Sequence, residues 1–137
     1  MEDFIMDQTL TQWTPEQLDL FLNNKTLTMK PYQTDMATFE EESPVWEVVV
    51  DGNVYSRGWN GQQTNWYMAA VAQSAGEISV GDHDFAARFE PADRTPELDA
   101  KITAAYRAKY DGQRSLPKMT SAGPTTATLH VLPADQA

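Results

Sequence analysis

The chain has 137 residues, 41% hydrophobic and 22% charged, which is the length of one domain and the composition of a folded one. Twenty acidic residues against ten basic ones give a formal charge of −10, opposite in sign to what phosphate attraction needs, so nucleic acid is not an expected partner. There is no cysteine, which excludes disulfides, thiolate zinc sites, iron–sulfur clusters and cysteine nucleophiles.

Residues 1–12 alternate acidic and apolar types without a sustained period and read as an arm whose Phe4 and Ile5 dock locally. This opening has neither the basic n-region nor the apolar core of a secretory signal, and no run in the chain approaches the length of a membrane span. The expectation is a cytoplasmic protein with no membrane partner. A single domain is expected over residues 13–133. Thr14-Pro15-Glu16-Gln17 combines a cap, a proline at the first helical position and a capping-box glutamine. It predicts a short helix with Leu18, Phe21 and Leu22 on one face, ending at Asn23 and Asn24.

Lys25 to Tyr32 alternates as a strand, with Leu27 and Met29 facing one way and Pro31 at its end. Gln33 to Ser43, with the acidic run Glu40, Glu41 and Glu42, reads as a solvated loop. Trp46 to Val50 and Val54 to Arg57 are β-branched or aromatic runs separated by Asp51-Gly52-Asn53, so they predict a hairpin. Gly58-Trp59-Asn60-Gly61 breaks the chain, and a helical pattern resumes near Thr64 with Trp66, Ala70 and Val71, to stop at Gly76.

A second hairpin follows: Glu77 to Val80, a turn at Gly81-Asp82, and Phe85 to Phe89. Thr95-Pro96-Glu97 opens the longest helix, with Leu98, Ile102, Ala105 and Tyr106 buried, a Glu97–Lys101 i,i+4 pair, and Gly112 as the stop. Gln113 to Pro124 reads as a loop and Thr125 to Leu132 as a closing strand with Ala127, Leu129 and Val131 inward. Six strands and three helices without a βαβ rhythm predict an α+β fold: a small antiparallel split β-barrel flanked by helices.

The sequence has no nucleophile elbow, phosphate-binding P-loop, dinucleotide fingerprint or zincin motif. His83 and His130 lie far apart without metal-ligand spacing and read as structural, and no metal site is expected. The candidate site centres on Arg57, where a strand end, a glycine-bounded turn and a helix start meet. One cation with backbone N–H groups can grip an anion there. An exposed arginine paired with a carboxylate is the plainer reading. Trp46 and Trp66 fall on apolar patterns and are expected to be buried. Trp59, in the turn, is the candidate for stacking on a planar ring or for a subunit contact. Tyr106-Arg107-Ala108-Lys109-Tyr110 is read first as helix termination and second as a place from which Lys109 or Arg107 reaches a ligand. Arg57→Ala is expected to weaken ligand binding and leave the fold intact.

From Trp13 to Leu132 the order of elements resembles an uncharacterised bacterial family of small proteins. The pieces that carry the likeness are the opening Trp13 to Leu18, Pro44-Val45-Trp46 leading to Tyr55-Ser56-Arg57, Trp66-Tyr67, Ala105 to Tyr110, and Thr128-Leu129. That family is in turn similar to the split β-barrel flavin-binding proteins, which include pyridoxamine-phosphate oxidases and deazaflavin-dependent nitroreductases. The resemblance implies FMN or a deazaflavin as cofactor, with Ser56 and Arg57 on its phosphate and Trp59 near its ring; micromolar binding needs about 8 kcal/mol, more than Arg57 and Trp59 supply, so backbone donors, a partner subunit, or Arg88 and Lys109 are expected to contribute. It further implies a homodimer with the cofactor at the subunit interface and hydride transfer to a small molecule. Where such sequences carry arginines on the first strand, this chain has Thr26, Thr28 and Met29. The alternative expectation is therefore a non-catalytic module of the same fold that has lost the cofactor and binds another small molecule or a protein.

Overall fold

A computed structural model of the protein describes residues 12–134. In chain order the elements are α1 (Pro15–Asn23), β1 (Leu27–Pro31), β2 (Ser43–Val45), β3 (Val48–Val50), β4 (Asn53–Arg57), a 3-10 turn (Gly61–Gln63) and α2 (Asn65–Gln73). There follow β5 (Ala75–Val80), β6 (His83–Pro91), α3 (Pro96–Lys109), α4 (Leu116–Met119), α5 (Ala122–Thr126) and β7 (Thr128–Pro133). The expected arm lies outside the described residues except for Gln12.

All seven strands form one antiparallel sheet in the order β2-β1-β5-β6-β7-β4-β3. The two edge strands, β2 and β3, are separated in sequence only by Trp46 and Glu47. Seven flat strands would put the edges roughly 29 Å apart, whereas three peptide steps span at most about 11 Å. The covalent link therefore forces the sheet to curl into a half-barrel. This corrects two expectations at once. The run Trp46 to Val50 is not one strand, because the chain crosses from one sheet edge to the other at Trp46-Glu47. The end of the supposed loop 33–43 supplies a seventh strand, with Leu27 opposite Val45 and Met29 opposite Ser43.

Local signals explain most of the remaining elements. Thr14 and Gln17 form a reciprocal capping box at the start of α1, and the Asn24 side-chain amide closes its end on the Leu20 carbonyl at 2.8 Å. Within α1, Phe21 is buried with Leu18 packed beside it as expected, but Leu20 takes the inward place expected of Leu22, which is exposed. Asp51 and Gly52 both take positive φ, the two-residue turn that matches strand twist, and Val50 pairs with Asn53 across it. Gly76 does not stop α2. The helix ends at Ser74 in the left-handed region, and Gly76 lies inside β5, where any Cβ would collide with the Lys30 carbonyl and Pro31 Cα of β1. Lys101 turns away from Glu97 to meet Asp51 at 3.2 Å, tying α3 to the β3–β4 turn.

Residues 113–124 are not a plain loop. Pro117 sits in the first turn of α4, and Thr125 and Thr126 hydroxyls bond back to the Ser121 and Gly123 carbonyls, which winds α5. The described residues thus hold five α-helices rather than three. Two apolar clusters result. The larger lies inside the curl under α1 and α2, with Trp13 Nε1 donating to the Val131 carbonyl at 3.0 Å. The smaller lies between β3, β4 and α3, around Tyr55, Ile102, Tyr106 and Tyr110.

Candidate functional site

Arg57 ends β4 and points inward. Only 1% of it is exposed, so the arginine is neither the surface residue nor the open anion grip that its sequence context suggests. Its Nε donates to Thr128 Oγ1 (3.3 Å), Nη1 to Thr103 Oγ1 (3.0 Å) and to the Met119 carbonyl (3.5 Å), and Nη2 to the Asp99 carbonyl (3.3 Å). Its backbone N–H donates to the Tyr106 hydroxyl at 2.9 Å, and the guanidinium lies over that ring. One side chain thereby joins β4 to α3, α4 and β7. Four of the five guanidinium N–H groups are engaged by neutral oxygens, and among the described residues no carboxylate pairs with it. Burial holds its pKa below the usual arginine value without removing the charge.

The turn after Arg57 spends its amides on itself. Gly58 N–H donates to the Ala127 carbonyl, Gly61 N–H to the Gly58 carbonyl, and Asn60 N–H to Thr64 Oγ1, which in turn donates to the Gly61 carbonyl. Of the backbone donors expected to form an anion cradle, those of Gly58, Asn60 and Gly61 are thus engaged within the protein. Thr64, being used this way, gives no side-chain cap to α2. Gly58 has no room for a Cβ against Thr64. The turn is rigid, and it holds Trp59 outward, 40% exposed.

Between this turn and the β2–β3 link lies a pocket of about 310 Å³, walled by Pro44, Val45, Trp46, Trp59, Trp66 and Met119, with Ser115 and Arg57 as its polar contributors. Three of the four tryptophans meet here. Trp66 is buried as expected; Trp46 is half-buried, stacked flat on Tyr110 with centroids 4.0 Å apart. Ser56 is buried beside Arg57, and its hydroxyl donates to the Trp46 carbonyl at 2.9 Å, pinning the link to β4 rather than facing the pocket.

Lys109 is not brought to this pocket. Its ammonium donates to the Phe21 carbonyl (2.7 Å) and lies 3.0 Å from Glu47 Oε2, on a separate groove with Leu22, Lys25 and Val48. Glu47 is fully buried. The lysine approaches off the hydrogen-bonding direction, so neither carboxylate oxygen has a donor in line. Desolvation pushes the Glu47 carboxyl up to about 7 against the opposing pull of Lys109, and burial lowers the Lys109 ammonium. The Tyr110 hydroxyl accepts the Glu47 N–H (3.0 Å) and donates to the Lys25 carbonyl (2.6 Å). The histidines lie elsewhere: His130 meets Asn53 Oδ1 at 3.1 Å and stacks on Tyr55, and His83 packs on Phe85. No group of three His, Cys, Asp or Glu among the described residues is placed to hold a metal. No helix there is long and apolar enough to cross a membrane.

Sequence reading reached Arg57, Trp59, Trp46 and Trp66 but missed Ser115, Met119 and Glu47, and it took Tyr110 only as part of a helix terminus. The i,i+4 pair Tyr106 and Tyr110 is the signal that was available for the last, since two phenols on the buried stripe of a helix need buried partners.

Fold and pocket define a small α+β protein with a curled antiparallel sheet and an aromatic cleft at its split. The chain belongs to a bacterial family, described as "Uncharacterized protein conserved in bacteria (DUF2255)", which it matches over residues 17–131. Among solved structures it is similar to the conserved hypothetical protein Rv2991 from Mycobacterium tuberculosis. The TM-score is 0.64 at 13% identity, over 95% of this chain and 84% of that one, a likeness of fold alone. Comparison with curated proteins gives no match.

Two predictions follow from this geometry. Arg57→Ala strands two carbonyls and two hydroxyls and opens a cavity, so it should destabilise the fold by about 3 to 5 kcal/mol, contrary to the expectation of an intact fold. Thermal melting should show a loss on the order of 10 °C; wild-type melting would contradict the strut assignment. Glu47 binds its proton more tightly folded than unfolded, so its stabilisation is complete below about 4.5 and is lost as pH rises through about 7. The amount is on the order of 3 kcal/mol. Burial lowers the pKa of His130, which tilts stability the other way just below its ordinary value. The quantity to measure is therefore the pH profile of wild type minus that of Glu47→Gln by denaturant melts. It should fall between about pH 5 and pH 7, and parallel profiles would remove Glu47 as the titrating group.

Proposed function

We propose that the protein binds a planar, negatively charged small molecule in the tryptophan-walled pocket, with FMN or a deazaflavin as the specific candidates. The observation that carries this reading is a contrast of charge. In a chain of net charge −10, the residues lining this pocket include a guanidinium and three indoles but no Asp, Glu or His. Flat aromatic walls suit a ring system, and an arginine without an ion partner makes the cleft positive where the surface at large is negative. The volume of about 310 Å³ is at the low end for ligand clefts, enough for a ring with its tail outside.

A flavin or deazaflavin bound there would supply hydride chemistry, with the protein contributing position and electrostatics. Trp46, Trp59 and Trp66 would hold the ring, and Arg57 would set the potential beneath it. Arg57 retains at most one N–H for a ligand, so the phosphate role that resemblance gives Ser56 and Arg57 passes to electrostatics rather than direct grip. A homodimer covering the exposed Trp59 belongs to the same reading. A non-catalytic binding module is the second reading, favoured by the lack of any acid or base on the pocket wall: without a cofactor the site has no proton carrier.

The test is titration with FMN and with a deazaflavin at fixed moderate salt, following cofactor fluorescence. Saturable binding of one of them is expected, weakened about two- to tenfold by Trp59→Ala, a substitution that leaves the strut in place. No saturable change with either cofactor would overturn the flavin reading.

A further inference from the structure

Four of the five lysines give their ammonium groups to oxygen. Lys25 meets the Lys109 carbonyl, Lys30 meets Glu77, Lys101 meets Asp51 and Lys109 meets Glu47. Lys118 differs. Its Nζ lies 4.3 Å from the centroid of the Trp59 ring, and among the described residues no carboxylate, carbonyl or hydroxyl takes its protons. In a chain with twenty acidic residues, an exposed ammonium held on an indole face without an oxygen partner has an unfilled set of three N–H donors.

Its place in the fold gives that observation a direction. Lys118 is on α4, whose flanking Ser115 and final Met119 line the pocket, while Trp59 forms the opposite part of the rim. Met119 is in turn fastened by its carbonyl to Arg57, and Gly61, in the Trp59 turn, packs closely on the Gly123 backbone of α5. Rim and floor are thus one connected unit. The cation at the floor is engaged by protein oxygens, and the one at the rim is not.

We propose that Lys118 is the specificity-determining residue of the pocket, receiving a detached anionic group, phosphate or carboxylate, on a tail that leaves the cleft across Trp59. The ligand class is then a planar ring joined by a flexible linker to an anion, and rings lacking that anion are discriminated against. This rests on the pocket reading above and adds the tail to it. The anion replaces water around an ammonium already positioned by the indole, so little side-chain order has to be created on binding.

The probe pair is FMN and riboflavin, which share a ring and differ in the terminal phosphate. Their affinities are measured by fluorescence titration against wild type, Lys118→Ala, Lys118→Arg, Lys118→Glu and the control Lys101→Ala. Wild type should prefer FMN by roughly fivefold to tenfold, a charged hydrogen bond discounted for exposure, and the preference should shrink as salt rises. Lys118→Ala should bring the ratio to about one, Lys118→Glu should invert it, and Lys118→Arg and Lys101→Ala should keep it. Equal affinity in wild type, or a preference that survives Lys118→Ala, would overturn the Lys118 assignment and leave the pocket reading standing. Binding of neither flavin would overturn the Lys118 assignment together with the FMN form of the pocket reading.

Discussion

A single buried guanidinium organises this molecule. Arg57 ends the strand beside the closing edge of the sheet, and its side chain reaches α3, the end of α4 and β7, while its amide holds the Tyr106 hydroxyl. Each contact is neutral, so the positive charge enters the interior without a partner. A buried cation is costly unless its donors are satisfied, and here the fold answers with four oxygens from three elements, α3, α4 and β7. The pocket wall inherits a consequence: its frame is held in place because the strut cannot move without breaking several bonds.

A second constraint is covalent. Trp46 and Glu47 alone join the two edges of the sheet, so curvature follows from chain length rather than from side-chain preference. The same two residues make that crossing in different surroundings. Trp46 gives its carbonyl to Ser56, stacks on Tyr110 and lines the pocket; Glu47 turns inward and is buried beside Lys109 with neither oxygen properly met. A carboxyl whose proton affinity lies near neutrality therefore sits directly behind a pocket-lining indole.

How much of this was legible follows the range of each interaction. The capping box at Thr14, the hairpin turn at Asp51-Gly52 and the proline start of α3 are local and were legible, although Asn53, read as part of that turn, belongs to β4. The Trp59 break and the clustering of aromatics near it were also visible. The division of Trp46 to Val50 was not, because alternation cannot show which sheet edge a strand joins. The short helices α4 and α5 were hidden because prolines and hydroxyl residues favour turns, and only their contacts with Arg57 and the Trp59 turn make helical turns the better choice. For Arg57 the location was legible and the orientation was not: a strand-end arginine in an acidic chain reads as a surface cation, and only Thr103, Thr128 and two carbonyls distant in sequence turn it inward.

The most direct measurement is the set of four indole N–H signals in a proton–nitrogen NMR spectrum, followed as FMN or a deazaflavin is added. Trp46, Trp59 and Trp66 line the pocket, whereas Trp13 is bonded to the Val131 carbonyl and is not part of its lining. The account predicts saturable shifts of the three pocket signals with Trp13 unmoved. Four unmoved signals, or Trp13 moving with the rest, would contradict the placement of a ring ligand in this cleft.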